Sequence, residues 1–166
     1  MKVLIKMSLL VALFVSNHAF GSCWLNSKKE RAVVEFFELL TGSFTFNQLV
    51  AGKVMSSGNA KGERSLRNLV TFQYEVEGVE RGLSLFGWIP NGNTLYLQTV
   101  NDRQPERPTY LSGVIDTKSC SLYLSNPSNT SSSYRLNFLL KSKNSFEVET
   151  LDANESVMYI QVVKKI

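Results

Sequence analysis

The sequence predicts an all-β fold: an up-and-down antiparallel meander barrel of about eight to nine strands, preceded by one short N-terminal helix. Three observations predict it. Val70, Phe72, Tyr74 and Val76 alternate with Thr71, Gln73, Glu75 and Glu77, the period-two pattern of a strand buried on one face. After Gly42 this pattern recurs with a turn signal about every ten residues, as in a meander. Before Gly42 the apolar period is instead that of a helix, and it occurs once.

The helix is expected over residues 28–40. Ser27-Lys28-Lys29-Glu30 reads as a capping box, with serine at the N-cap and glutamate at the third helical position. Val33, Phe36, Phe37 and Leu40 then fall at i, i+3, i+4 and i+7, one apolar stripe that must pack on something. Gly42 stands where a C′ glycine belongs.

Strands are expected at 43–55, 66–77, 82–89, 94–100, 110–116, 121–125, 134–141, 145–151 and 156–164. Ser56-Ser57-Gly58-Asn59, Gly78, Pro90-Asn91-Gly92-Asn93, 102–108, 127–132, Lys143-Asn144 and Asp152-Ala153-Asn154 separate them. Asn91-Gly92 is the strongest turn signal, because both residues tolerate positive φ. So many short strands need their edges protected, and closure into a barrel does this most simply, with the helix plugging one end. An open half-barrel ferrying lipids or lipoproteins is a further alternative.

Leu39-Leu40-Thr41-Gly42-Ser43-Phe44, following a short helix and opening a meander, resembles the entry signature of the lipocalin-like (calycin) barrels. That signature is a Gly-x-Trp whose aromatic closes the base; here Phe44 stands in the tryptophan position. The resemblance implies a basic residue of the last strand, Lys164 or Lys165, set against that ring. Residues 40–49 are also similar to the first strand of the biotin-binding avidins. Those surround biotin with several tryptophans, and this chain has only Trp24 and Trp88, so biotin is discounted.

The chain of 166 residues suits one domain. Lys2 and Lys6, the apolar run from Met7 to Val15, and Ala19-Phe20-Gly21 have the layout of a secretory signal peptide, which assigns 1–22 to export and 23–166 to a lipocalin-like β-barrel domain. The apolar run is far shorter than the about 20 residues of a spanning helix, so no transmembrane segment is expected. The formal net charge is +4, of which Lys2 and Lys6 carry two, and so mild an excess does not imply nucleic-acid binding. Cys23 and Cys120 are expected to form a disulfide in a periplasmic or secreted protein. The alternative is an acylated Cys23, since Phe20-Gly21-Ser22-Cys23 loosely resembles a bacterial lipobox.

Most catalytic chemistry lacks its residues. The sole histidine is His18, inside the expected signal peptide, which leaves no Ser-His-Asp, no Cys-His and no histidine-ligated metal or haem. There is no phosphate loop, no Cys-x-x-Cys, no Ser-x-x-Lys and no dinucleotide fingerprint. Asp152-Ala153-Asn154-Glu155 lacks the glycine and distal glutamate of a calcium loop, and Asp102, Glu106 and Asp116 show no pairing in their spacing. The expectation is therefore a non-enzymatic protein without metal or cofactor.

Several strands are apolar on both faces: Leu83, Leu85 and Ile89 against Phe86 and Trp88, and Val157, Tyr159 and Val163 against Met158, Ile160 and Val162. One reading is that the second face meets the helix, Trp24 and the N-terminal segment. The functional reading is an interior for a small apolar or lipid-like ligand, lined by Phe44, Phe46, Phe72, Tyr74, Phe86 and Trp88. The alternative function is a protein-binding inhibitor or immunity-type module of the cell envelope. For it the proline-restricted loop 101–108 offers Arg103 and Arg107 to carboxylates of a partner.

Overall fold

Ten antiparallel strands follow one α-helix in the computed structural model, which describes residues 23–127 and 134–166. The expected signal peptide lies outside the described residues. Helix α1 (Lys29–Leu39) leads into β1 (Gly42–Val50), β2 (Lys53–Leu66), β3 (Leu69–Val76), β4 (Glu80–Ile89) and β5 (Thr94–Asn101). Then come β6 (Thr109–Asp116), β7 (Ser121–Ser125), β8 (Arg135–Ser142), β9 (Ser145–Leu151) and β10 (Val157–Lys165). Each strand pairs with its neighbours in sequence, and β10 returns to β1 with Phe44 opposite Lys165 and Leu49 opposite Ile160. The barrel is closed, so the half-barrel alternative falls and no edge is left open among the described strands.

The strand number corrects the sequence reading. The stretch 43–55 holds two strands, because Ala51 and Gly52 both take positive φ (48° and 77°) and make a tight hairpin. Ser56 to Asn59, read as a turn, lies in the middle of β2, opposite Gln48 to Thr45. Small polar residues and a glycine on a strand carry the same composition as a turn, and only the pairing separates them.

Around β3 the alternation holds. Val70 and Val76 are buried and Phe72 and Tyr74 half-buried on the inner face, while Gln73, Glu75 and Glu77 are exposed.

The helix starts differently from the capping-box reading. Lys28, not Ser27, is the N-cap, and no side chain caps it. Asn26 does the local work instead: its Oδ1 accepts from Lys28 N at 2.9 Å, and its own N donates to Glu35 Oε2 at 2.6 Å. At the other end Leu40 is the C-cap, so Gly42 opens β1 rather than serving as C′. The last carbonyls are met by Thr41 Oγ1, which donates to Phe37 O at 2.8 Å, and by Lys165 Nζ, 3.4 Å from Glu38 O. Lys165 thus serves the helix terminus. Among the described residues the cation over an aromatic ring is Arg64, 5.9 Å from the centre of Phe37.

The apolar stripe of α1 enters the end of the barrel. Phe36 is fully buried and meets Phe86 and Phe138 edge-on at 5.9 and 6.0 Å. Because the helix occupies the end, it does not cover the outer wall, and Leu83 and Ile89 remain 44% and 49% exposed. The reading that the second apolar face meets the helix is corrected accordingly.

Cys23 and Cys120 are bonded, with Cα atoms 5.1 Å apart and a sequence separation of 97. Cys120 lies in the β6–β7 turn at the helix end, and Trp24 Nε1 donates to Leu140 O at 3.1 Å nearby. The bond uses the sulfur that a lipid anchor on Cys23 requires. It points to a non-cytoplasmic compartment. Among the described residues no helix is long and apolar enough to cross a membrane.

Candidate functional site

Chain direction gives the barrel two unlike ends. β1 begins where α1 stops, so the β2–β3, β4–β5, β6–β7 and β8–β9 turns lie at the helix end and the others at the far end. Inward-facing side chains change character along this axis. Near the helix they are Phe44, Val70, Phe86, Leu95, Phe138 and Phe146, all buried. Toward the far end they become Tyr74, Glu80, Thr99, Tyr134, Tyr159 and Gln161, all half-buried. Inward side chains that retain exposure can reach solvent only through the end of the barrel, so the far end is the mouth.

Between the two layers lies a cavity of about 130 Å³. Leu40 and the rings of Phe46, Phe72, Phe86, Phe138 and Phe146 line its apolar part. In the throat Tyr74 donates its hydroxyl to Glu80 Oε1 at 3.1 Å, and Ser84 and Thr99 share a 2.9 Å hydrogen bond. The Tyr74 ring lies over Gly82, its cross-strand partner, where any Cβ would collide with the phenol. Burial, and then the neighbouring Glu80 carboxylate, push the Tyr74 phenol well above the usual tyrosine range. Burial likewise raises Tyr134, which feels the charge of Glu80 and shares the throat with Tyr159.

Of the residues expected from sequence to hold a ligand, Phe46, Phe72, Tyr74 and Phe86 line this cavity. Phe44 and Trp88 do not. Phe44 packs beneath it, 5.4 Å from Phe72 and 6.2 Å from Phe146 between ring centres, and Trp88 lies near the helix end of β4. Apart from Tyr74, the polar half of the lining carries no such signal in the sequence. Glu80 belongs to a segment that reads as turn, yet it shares the parity of Gly82, Ser84 and Phe86 and faces inward once β4 is extended by two residues. Tyr134 follows a serine-rich loop, and Tyr159 sits in a strand apolar on both faces, where alternation carries no signal.

The 101–108 loop is pinned to the β3–β4 turn. Arg81 N donates to Asp102 Oδ1 at 3.0 Å, and Arg103 Nε donates to Val79 O at 2.9 Å. Arg103 is thereby tied back onto the barrel, and Arg107 stands exposed. The structure does not bring the two arginines to the cavity.

No protein-family model matches the chain, and no curated protein matches it. Among solved structures it is similar to a redesigned β-barrel, at 10% identity and a TM-score of 0.46, over 78% of this chain and 94% of that one. By its own topology the protein is a closed ten-stranded antiparallel β-barrel plugged at one end by a helix.

Proposed function

We propose that this protein is an exported, non-enzymatic binding protein of lipocalin-like plan that holds a small ligand inside its barrel. The observation that carries this reading is the cavity of about 130 Å³ beneath the mouth, walled by phenylalanine rings and rimmed by hydroxyl groups. Drug-sized ligands occupy sites of about 300–1,000 Å³, whereas an apolar cavity of about 150 Å³ accepts benzene. The ligand is therefore of single-ring size, and a long acyl chain would require the interior to open. Apolar walls supply affinity, and the polar throat orients the ligand's one polar end.

Benzyl alcohol, titrated by protein-observed NMR, tests this. Shifts should concentrate on the inward residues of β3, β4 and β8, and Leu97→Trp, which fills the cavity, should abolish them. Shifts confined to the outer wall, or none, would overturn the reading.

The alternative, a protein-binding inhibitor or immunity-type module, has an observation of its own. Leu83, Tyr96, Tyr110 and Val114 stand exposed on the outer face of β4–β6, uncovered by any other part of the described chain. Exposed apolar side chains gathered on one wall of this kind are what a protein contact would use. It takes first place if the interior admits no probe.

A further inference from the structure

Glu80 is the odd residue of the throat. No lysine, arginine or histidine lines the cavity, so Glu80 is its one formally charged wall. It forms no ion pair among the described residues. Its Oε1 accepts from Tyr74, and Oε2 has no protein donor among the described residues. The two arginines close to it in the fold are occupied elsewhere. Arg81 points outward to Glu75 Oε1 at 3.1 Å, and Arg103 is held by the Val79 carbonyl. A half-buried carboxylate with no counter-charge and one oxygen without a protein donor can pair with a bound cation.

Three phenol rings, Tyr74, Tyr134 and Tyr159, line the same cavity: Tyr74 bonds this carboxylate, Tyr134 feels its charge, and Tyr159 adjoins both of those phenols. Aromatic faces attract cations, and rings clustered about an anionic oxygen suit an ammonium group better than a neutral one. Beneath them the phenylalanine-lined space accepts an apolar body of about one ring.

From this juxtaposition we infer that the barrel takes a small organic cation: an amine or alkylammonium on an aromatic or branched aliphatic body. Its ammonium is held at Glu80 between the tyrosine rings, and its body lies among Phe46, Phe72 and Phe86. This rests on the barrel-interior reading above and adds to it the sign of the ligand's charge.

The test compares three probes of one size on the oxidised, disulfide-bonded protein by calorimetry and NMR. They are benzylamine, benzyl alcohol and benzoate. A charge-assisted hydrogen bond with ring contacts should favour benzylamine over benzyl alcohol by about tenfold or more, with benzoate the weakest. Glu80→Gln retains an acceptor for Tyr74 and should bring benzylamine down to the level of benzyl alcohol measured on the same variant. Tyr159→Leu, which keeps the carboxylate, should weaken benzylamine more than benzyl alcohol. Thermal melts establish that each variant is folded. Equal binding of benzylamine and benzyl alcohol, or a preference that survives Glu80→Gln, overturns the cation assignment while the cavity reading stands. If none of the three enters the interior, both fall.

Discussion

At the scale of single residues, the interior separates neighbours that differ by one position. Phe72 faces the cavity and Gln73 faces water, so the same substitution should have opposite outcomes. Phe72→Asp places a carboxylate among aromatic rings and should cost several kcal/mol or prevent folding, on the order of the penalty for burying an unpaired polar group. Gln73→Asp should stay within about 0.5 kcal/mol, as for an ordinary surface change. Urea denaturation of the pair measures both, and equal losses would show that the register is not the one described. Tyr74 carries a second expectation. Its phenol is raised in the folded protein by burial and by Glu80, so folded and unfolded chains are both protonated below about pH 10. Above that, the unfolded chain releases its proton first and binds fewer protons than the native one, so stability falls as pH rises toward the raised folded value. Tyr74→Phe should flatten this alkaline decline, read from urea midpoints between about pH 8 and pH 11. Parallel curves for the two proteins would place the phenol in water.

At the scale of elements, α1 acts as a plug rather than a cover. Phe36 is fully buried between Phe86 and Phe138, so Phe36→Ala should cost about 3–5 kcal/mol. A loss below about 1 kcal/mol would mean that the barrel closes without its helix. The seat of the helix is narrow at Gly62 of β2, where an added Cβ would land on the Leu40 carbonyl oxygen, a backbone atom with nowhere to move. Gly62→Val should therefore displace the helix terminus, with loss of near-ultraviolet dichroism from the aromatic cluster and a lowered Tm. An unchanged spectrum and Tm would show that the helix does not press on β2. The helix itself was legible in the sequence from Val33, Phe36, Phe37 and Leu40. Its place was not, because an apolar stripe states that a face is buried and not against what.

At the scale of the whole molecule, the Cys23–Cys120 bond ties the segment before the helix to the β6–β7 turn, holding plug and barrel together across 97 positions. In the chain-entropy account a loop of this length contributes about 4–5 kcal/mol. Removing both cysteines by Cys23→Ala and Cys120→Ala should lower the denaturation midpoint by a corresponding amount. Two alkylatable thiols in the unreduced protein, or a diacylglycerol on Cys23, would end the assignment. Barrel closure is equally a property of the whole: β1 meets β10 across nearly the full described length, and no local pattern announces that pairing.

The sequence by itself determined what depends on neighbours along the chain. It set the strand periods, the faces of β3, the single helix and an even pair of cysteines, because a period of two or of 3.6 residues is written locally. Tertiary structure decided what depends on closure. It made ten strands of an expected nine by turning the chain at Ala51-Gly52. It sent the helix into the barrel end, and it gathered Tyr74, Glu80, Tyr134 and Tyr159 from β3, β4, the entry to β8 and β10 around one throat. Their convergence has no local signature, because inward-facing residues of distant strands become neighbours only when the sheet curls and its first and last strands meet.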